Sequence, residues 1–164
     1  MNDVNPSDVQ VTHDHMVQCL RDSVNVYLQT QLVHWGLVGS KFYQIHLLTG
    51  DILTEMTEGI DDIAEHVRSI NYMTPSTVQD LVSSRIKPVD MSDHFDQEKI
   101  LLDLSFNHDE LAGYFEDLAK MCSIIGDELT QDLAADRGRV HKKNQWHLRS
   151  TMDFEYKPSK ISSD

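Results

Sequence analysis

The sequence predicts an all-α fold, with four long helices packed as a bundle and one long crossover between the second and the third. Three observations predict it. Apolar residues recur at spacings of three and four almost throughout. Glycine and proline are sparse, 7 and 4 in 164 residues, and fall mostly where a helix should stop. No stretch alternates apolar and polar residues as a half-buried strand does.

The elements follow in order. Val17, Leu20, Val24, Leu28, Leu32 and Trp35 form one apolar face of a first helix, which Gly36 and Gly39 end. Ser40 is the expected N-cap of a second helix over about 41–69, whose apolar set is Phe42, Ile45, Ile52, Met56, Ile60, Ile63 and Val67. A break over 71–93 holds Pro75 and Pro88, and TVQDLVSS within it can form one short helix. Ser92 or Asp93 is the expected cap of a third helix carrying Leu101, Leu104, Leu111, Phe115, Leu118, Cys122 and Ile125, with one seven-residue step across His108. Gly126 stops it, and Asp127 caps a fourth helix reaching about Met152. Residues 1–12 and 153–164 read as flexible tails around a bundle of 13–152. Two short connections and one long one give a four-helix bundle with a single crossover.

Composition narrows the function. Fourteen basic residues against 27 acidic ones give a net charge of −13, a field that repels polyphosphate and attracts cations. No apolar run approaches the roughly 18 residues of a membrane span, so no membrane partner is expected. The first fifteen residues, MNDVNPSDVQVTHDH, hold no basic segment followed by an apolar one, so no secretory leader is read there and a cytoplasmic location is expected. Cys19 and Cys122 form no motif and read as buried or free thiols.

Four side chains carry the chemistry. His34, His46, Asp61 and Glu65 suit a borderline divalent metal such as iron. His34 lies five residues before Gly39 and His46 seven after it, so an antiparallel hairpin brings them face to face. Asp61 and Glu65 are four apart and share a helix face. From His46 to Asp61 is fifteen residues, roughly 22 Å along a helix at 1.5 Å per residue. Metal–ligand bonds are about 2 Å. Either the two pairs are unrelated, or a second copy of the chain completes the site across a two-fold axis.

The run HWGLVGSKFYQIH, followed by DDIAEHVRSI, resembles the signature of the Dps proteins (DNA-binding protein from starved cells), the mini-ferritins. The family pattern is His-Trp-x-x-x-Gly-x-x-Phe-x-x-x-His, then Asp-x-x-Ala-Glu fifteen residues on. His34, Trp35, Gly39, Phe42, His46, Asp61, Ala64 and Glu65 all match it. DELTQDL and HKKNQWHLRS are similar to two further family segments, although Lys142 stands where Glu is usual and His147 where an apolar residue is usual. The match spans about residues 17–150.

The resemblance implies a ferritin-like four-helix bundle and a dodecameric homo-oligomeric shell with ferroxidase sites at two-fold interfaces. It implies oxidation of Fe(II) by hydrogen peroxide or O2, storage of ferric mineral inside and protection from oxidative damage. Iron is the implied metal, and other divalent metals such as Zn2+ suit the same ligands. His34, His46, Asp61 and Glu65 are the implied ferroxidase ligands, with Trp35 packed beside them. A full-size ferritin would carry Glu-x-x-His pairs inside the bundle, and no Glu here has a His three residues later. The alternative is a non-enzymatic shell that sequesters metal or compacts DNA.

Weaker features are weighed beside it. Asp51, Glu55, Glu58 and Asp62 form an acidic stripe that could nucleate mineral or simply be a solvated face. Asp127, Glu128 and Asp132 resemble carboxylates that line the family's iron-entry pores, and the first two also suit a helix N-terminus. His13 and His15 form a His-x-His pair without further partners. Residues 1–16 contain Asp3, Asp8 and Asp14 and no Lys or Arg, so DNA binding through a basic N-terminal tail is not expected.

Overall fold

A computed structural model describes residues 5–152. The expected four-helix frame is present: α1 (Pro6–Gly36), α2 (Phe42–Ser69), the short α3 (Val78–Leu81), α4 (Gln97–Ile125) and α5 (Glu128–Ser150). α1 packs on α2 and α4, and α5 packs on α4 and α2, which closes the four long helices around one core. Gly126 is left-handed (φ 74°) and ends α4, as expected, and the side chain of Asp127 caps α5 by accepting from Thr130 N–H.

Several boundaries differ from the sequence reading. α1 begins at Pro6, capped by Asn5, so 6–12 form its first turns and not a tail. Proline at the first position and Asp8 in the first turn favour that start. The C-terminal segment 153–164 lies outside the described residues. α2 starts after Lys41 with no side-chain cap, because Ser40 lies one residue too early. α4 starts at Gln97 behind the cap Asp96, later than Ser92 or Asp93, since Asp90 and Asp93 turn to cap loop amides instead.

The crossover is tied down by polar contacts. Asp22, fully buried in α1, accepts two bonds from the Arg85 guanidinium (2.6 and 2.9 Å), one from Arg85 N–H (2.9 Å) and one from the Ser84 hydroxyl (2.9 Å). Arg85 also lies over the Tyr114 ring at 3.8 Å. The Gln29 side-chain oxygen accepts from Val89 N–H and from Asn107, whose amide also reaches Lys87 O. Ile86 and Val89 then close the core.

The core is not wholly apolar. On α5, Arg137, His141 and Asn144 are buried one turn apart. Arg137 donates to Glu55 of α2 at 2.5 Å, and it reaches there because Gly59 has no Cβ, which would lie 1.8 Å from Nη1. His108 of α4 fills the seven-residue gap in the leucine pattern. Its Nδ1 lies 3.0 Å from Nδ1 of His141, whose ring stacks on Phe115. Both histidines are fully enclosed. Burial pushes His108 down to about 3 and His141 well below its ordinary range, His141 further lowered by His108 and Arg137. Cys19 and Cys122 are free and buried, and burial raises both thiols to about 12.

This pair makes stability acid-sensitive. Above pH 6.5 both histidines are neutral folded or unfolded and contribute no pH dependence. Below it the unfolded chain takes up protons that the fold excludes, so stability falls as pH drops, down to the folded value near 3 for His108. His108 alone accounts for roughly 2 kcal/mol lost at pH 5. Thermal melts from pH 7.5 to 5 should show a steep decline, and replacing His108 and His141 together by Leu should flatten it. An unchanged slope would contradict the assignment.

Candidate metal centre

The α1–α2 hairpin sets the site. α1 ends at Gly36, and its last-turn backbone is closed by Leu37 N–H donating to Val33 O. Gly39 takes φ 130°, a conformation that suits glycine, and a Cβ there would meet the Gln97 side chain at 2.7 Å. Val38 N–H donates to His94 O, which fixes the turn against the crossover. The chain then re-enters helix at Phe42, and His34 and His46 lie together as expected.

Their imidazoles stack at 3.9 Å between centroids, with planes 18° apart. Phe42 stacks on the His46 ring at 5.3 Å between centroids, which accounts for the aromatic in that motif position. His46 Nδ1 lies 3.0 Å from the His34 backbone carbonyl, a pure acceptor, so Nδ1 carries the proton, and in the neutral ring Nε2 has the lone pair. His34 Nδ1 lies 2.9 Å from the Thr49 hydroxyl. Burial and the neighbouring His46 hold His34 below its ordinary range, which favours the neutral ring.

Asp61 and Glu65 stand on α2, both exposed, with no hydrogen-bond or ion-pair partner among the described residues. Glu65 borders a shallow concavity with Ala64, Arg68, Ser69 and Thr74. The structure therefore brings the two histidines together and leaves the two carboxylates apart from them. Among the described residues, no three His, Cys, Asp or Glu side chains of one chain group closely enough to hold a metal ion.

The surface around the histidines is apolar. Leu28, Leu32 and Trp35, three members of the apolar face expected on α1, are exposed, Trp35 at 69%. The core face of α1 is instead Met16, Cys19, Leu20, Ser23, Val26, Thr30 and Val33. Tyr43 and Leu47 of α2 are exposed as well. By helical periodicity Tyr43, Leu47, Thr54, Glu58, Asp61 and Glu65 share one face of α2. Histidines and carboxylates thus border opposite ends of one exposed face.

The secondary candidates are placed as follows. Glu55 is half-buried and bound to Arg137, so it is not a free member of the acidic stripe, whereas Asp51, Glu58 and Asp62 are exposed. Asp127 caps α5 and also accepts from the Thr130 hydroxyl at 2.6 Å, which in turn meets His66 Nε2 at 2.8 Å. Glu128 and Asp132 are exposed at the start of α5. His13 and His15 do not form a pair: His13 packs edge-on to Tyr72, and His15 Nε2 meets Tyr114 O. Lys142 pairs with Asp109 at 2.7 Å, and His147 lies against Trp146. Thr49 was missed by motif, and the only signal for it is its place one turn beyond His46.

A family model described as the ferritin-like domain matches residues 14–154. The chain belongs to the ferritin-like family. The Dps resemblance of the motif is borne out by its relatives. The DNA protection during starvation protein of Helicobacter pylori is 22% identical over 130 residues, covering 79% of this chain and 90% of that one. Among solved structures, Dps from Thermosynechococcus elongatus superposes with a TM-score of 0.83 at 20% identity, covering 96% and 98% of the two chains. The Dps protein of Vibrio cholerae, described as a member of a broad superfamily of ferritin-like diiron-carboxylate proteins, gives 0.80 at 21% identity over 90% and 92%.

Proposed function

We propose that this protein oxidises Fe(II) and stores the ferric product in a shell of its own copies, at sites completed between two chains. The observation that carries this is the His34–His46 stack, whose Nδ1 contacts leave Nε2 lone pairs for a cation, set in an exposed apolar face that a second copy would cover. Burying Leu28, Leu32, Trp35, Tyr43 and Leu47 against another chain offsets the exposure of large apolar groups. A two-fold axis near Thr54 brings Asp61 and Glu65 of one chain to His34 and His46 of the other, because positions 43–46 and 61–65 are centred there. The family's ferritin-like diiron chemistry and the net charge of −13 both favour a cationic substrate.

His34 and His46 hold one ferrous ion with Asp61 of the partner, and Glu65 of the partner bridges to a second, weaker position. Two Fe(II) each give one electron to hydrogen peroxide. The O–O bond breaks, two protons are taken up and two waters form, so no hydroxyl radical is released. O2 is the other oxidant the site can serve. Glu128 and Asp132 gather Fe(II) at an entry pore, and Asp51 and Glu58 seed the mineral. The assembly is a dodecamer acting in the cytoplasm against oxidative damage.

Absorbance-followed Fe(II) oxidation with peroxide tests this. His46→Ala should slow it by about tenfold or more, as loss of ligand support does at metal sites. Asp51→Ala with Glu58→Ala should leave the first turnovers intact and slow later mineral growth. Equal rates in wild type and His46→Ala would refute the enzymatic reading.

The second reading is a non-enzymatic shell that compacts DNA, and the name of the Helicobacter pylori relative favours some link to DNA. The charge of −13 opposes direct binding, and protection can come from removing Fe(II) before it reacts. No gel retardation of duplex DNA is expected at roughly 150 mM salt. A clear shift would favour the compaction reading.

A further inference from the structure

We infer that Thr49 is a positioning residue for His34: its hydroxyl, anchored to the backbone of α2, accepts the Nδ1 proton of His34 and so keeps the Nε2 lone pair open to Fe(II). This rests on the reading of His34 as a ligand.

Thr49 is fully buried, and its Oγ1 has three neighbours. Ile45 O is 2.7 Å away, His46 O 3.2 Å and His34 Nδ1 2.9 Å. A hydroxyl has one proton, and both carbonyls can only accept it. Turning that proton to His34 would leave the hydroxyl lone pairs facing two carbonyl oxygens. The proton therefore goes to the helix backbone, in the usual back-bond of a helical threonine. His34 Nδ1 must then be the donor to Oγ1.

The consequence is a crosswise lock. α2 holds the ring of His34 through Thr49, and α1 holds the ring of His46 through the His34 carbonyl. A free neutral histidine favours the proton on Nε2, the form that cannot bind a metal through that atom. Thr49 reverses the preference for His34, as outer partners do for metal-bound histidines generally. A Cβ at Gly50, the next residue, would lie at ordinary contact, 3.4 Å from His34 Cε1, so the ring position does not depend on that glycine.

The test has two arms on the full-length, metal-free protein. In the first, magic-angle-spinning NMR of 15N-histidine-labelled protein reads the His34 ring, assigned by the signal lost in His34→Gln. Wild type and Thr49→Ser should show a protonated Nδ1, and Thr49→Val should show a protonated Nε2. Should Thr49→Val fail to fold, Thr49→Ala against Thr49→Ser gives the same comparison. In the second, anaerobic Co(II) titration should give an affinity about 10- to 100-fold weaker for Thr49→Val and close to wild type for Thr49→Ser. A Thr49→Val protein that keeps the wild-type ring form overturns the inference. Co(II) affinity left unchanged by His34→Gln overturns the ligand reading instead, whatever happens to the ring.

Discussion

The register of the α1–α2 hairpin is the constraint on which the functional account depends. The turn at Gly39 sets how far α2 is displaced along α1, and a stack of two imidazoles at 3.9 Å tolerates no slip of a residue. The contacts that hold this register are the turn against His94 and Gln97, the Phe42 ring on His46, and the hydrogen bonds at the two imidazole Nδ1 atoms. One folded chain therefore presents two imidazoles side by side. The carboxylates are equally fixed on α2, but roughly 22 Å away along a rigid rod. Helix rigidity, which orders both pairs, is also what prevents one chain from joining them.

Around this histidine pair the exposed surface is apolar. The face that carries Leu28, Leu32 and Trp35 is apolar without being core. The interior, by contrast, holds polar groups that an isolated bundle could replace with leucine: Arg137 on Glu55, His108 on His141, Asp22 under Arg85. Each joins different elements, α5 to α2, α5 to α4 and the crossover to α1. Because Arg137, His108, His141 and Asp22 are buried, any register that took their partners away would strand a polar group in the core. These pairs thus favour one packing of the helices, and through it one placement of the hairpin.

Much of this was legible in the sequence, for identifiable reasons. Long helices follow from periodicity, and Gly126 and Asp127 marked the α4–α5 turn because left-handed backbone and an N-cap have specific residue preferences. The proximity of His34 and His46 followed from their distances to Gly39. The exposure of Leu28 and Leu32 did not, since periodicity records that a face is apolar without saying whether it meets the chain's own core or another surface. The start of α1 was placed too late because its first turns, over PSDVQV, are polar and lack the apolar repeat. His108 showed as a gap in the leucine pattern, but its partner His141 lies thirty-three residues on, a pairing that no local pattern encodes. Glu55 read as one of four like carboxylates, and only the approach of Arg137 over Gly59 separates it from the rest.

The central claim is that two chains make one iron site, and complementation tests it directly. One chain carries His34→Ala with His46→Ala, and the other carries Asp61→Ala with Glu65→Ala. Each alone should be inactive in peroxide-driven Fe(II) oxidation. Co-assembled at equal amounts, half of the pairs should be mixed and each should contain one intact site, restoring about a quarter of wild-type activity if chains pair at random. Mixed shells as inactive as the two parents would contradict the account.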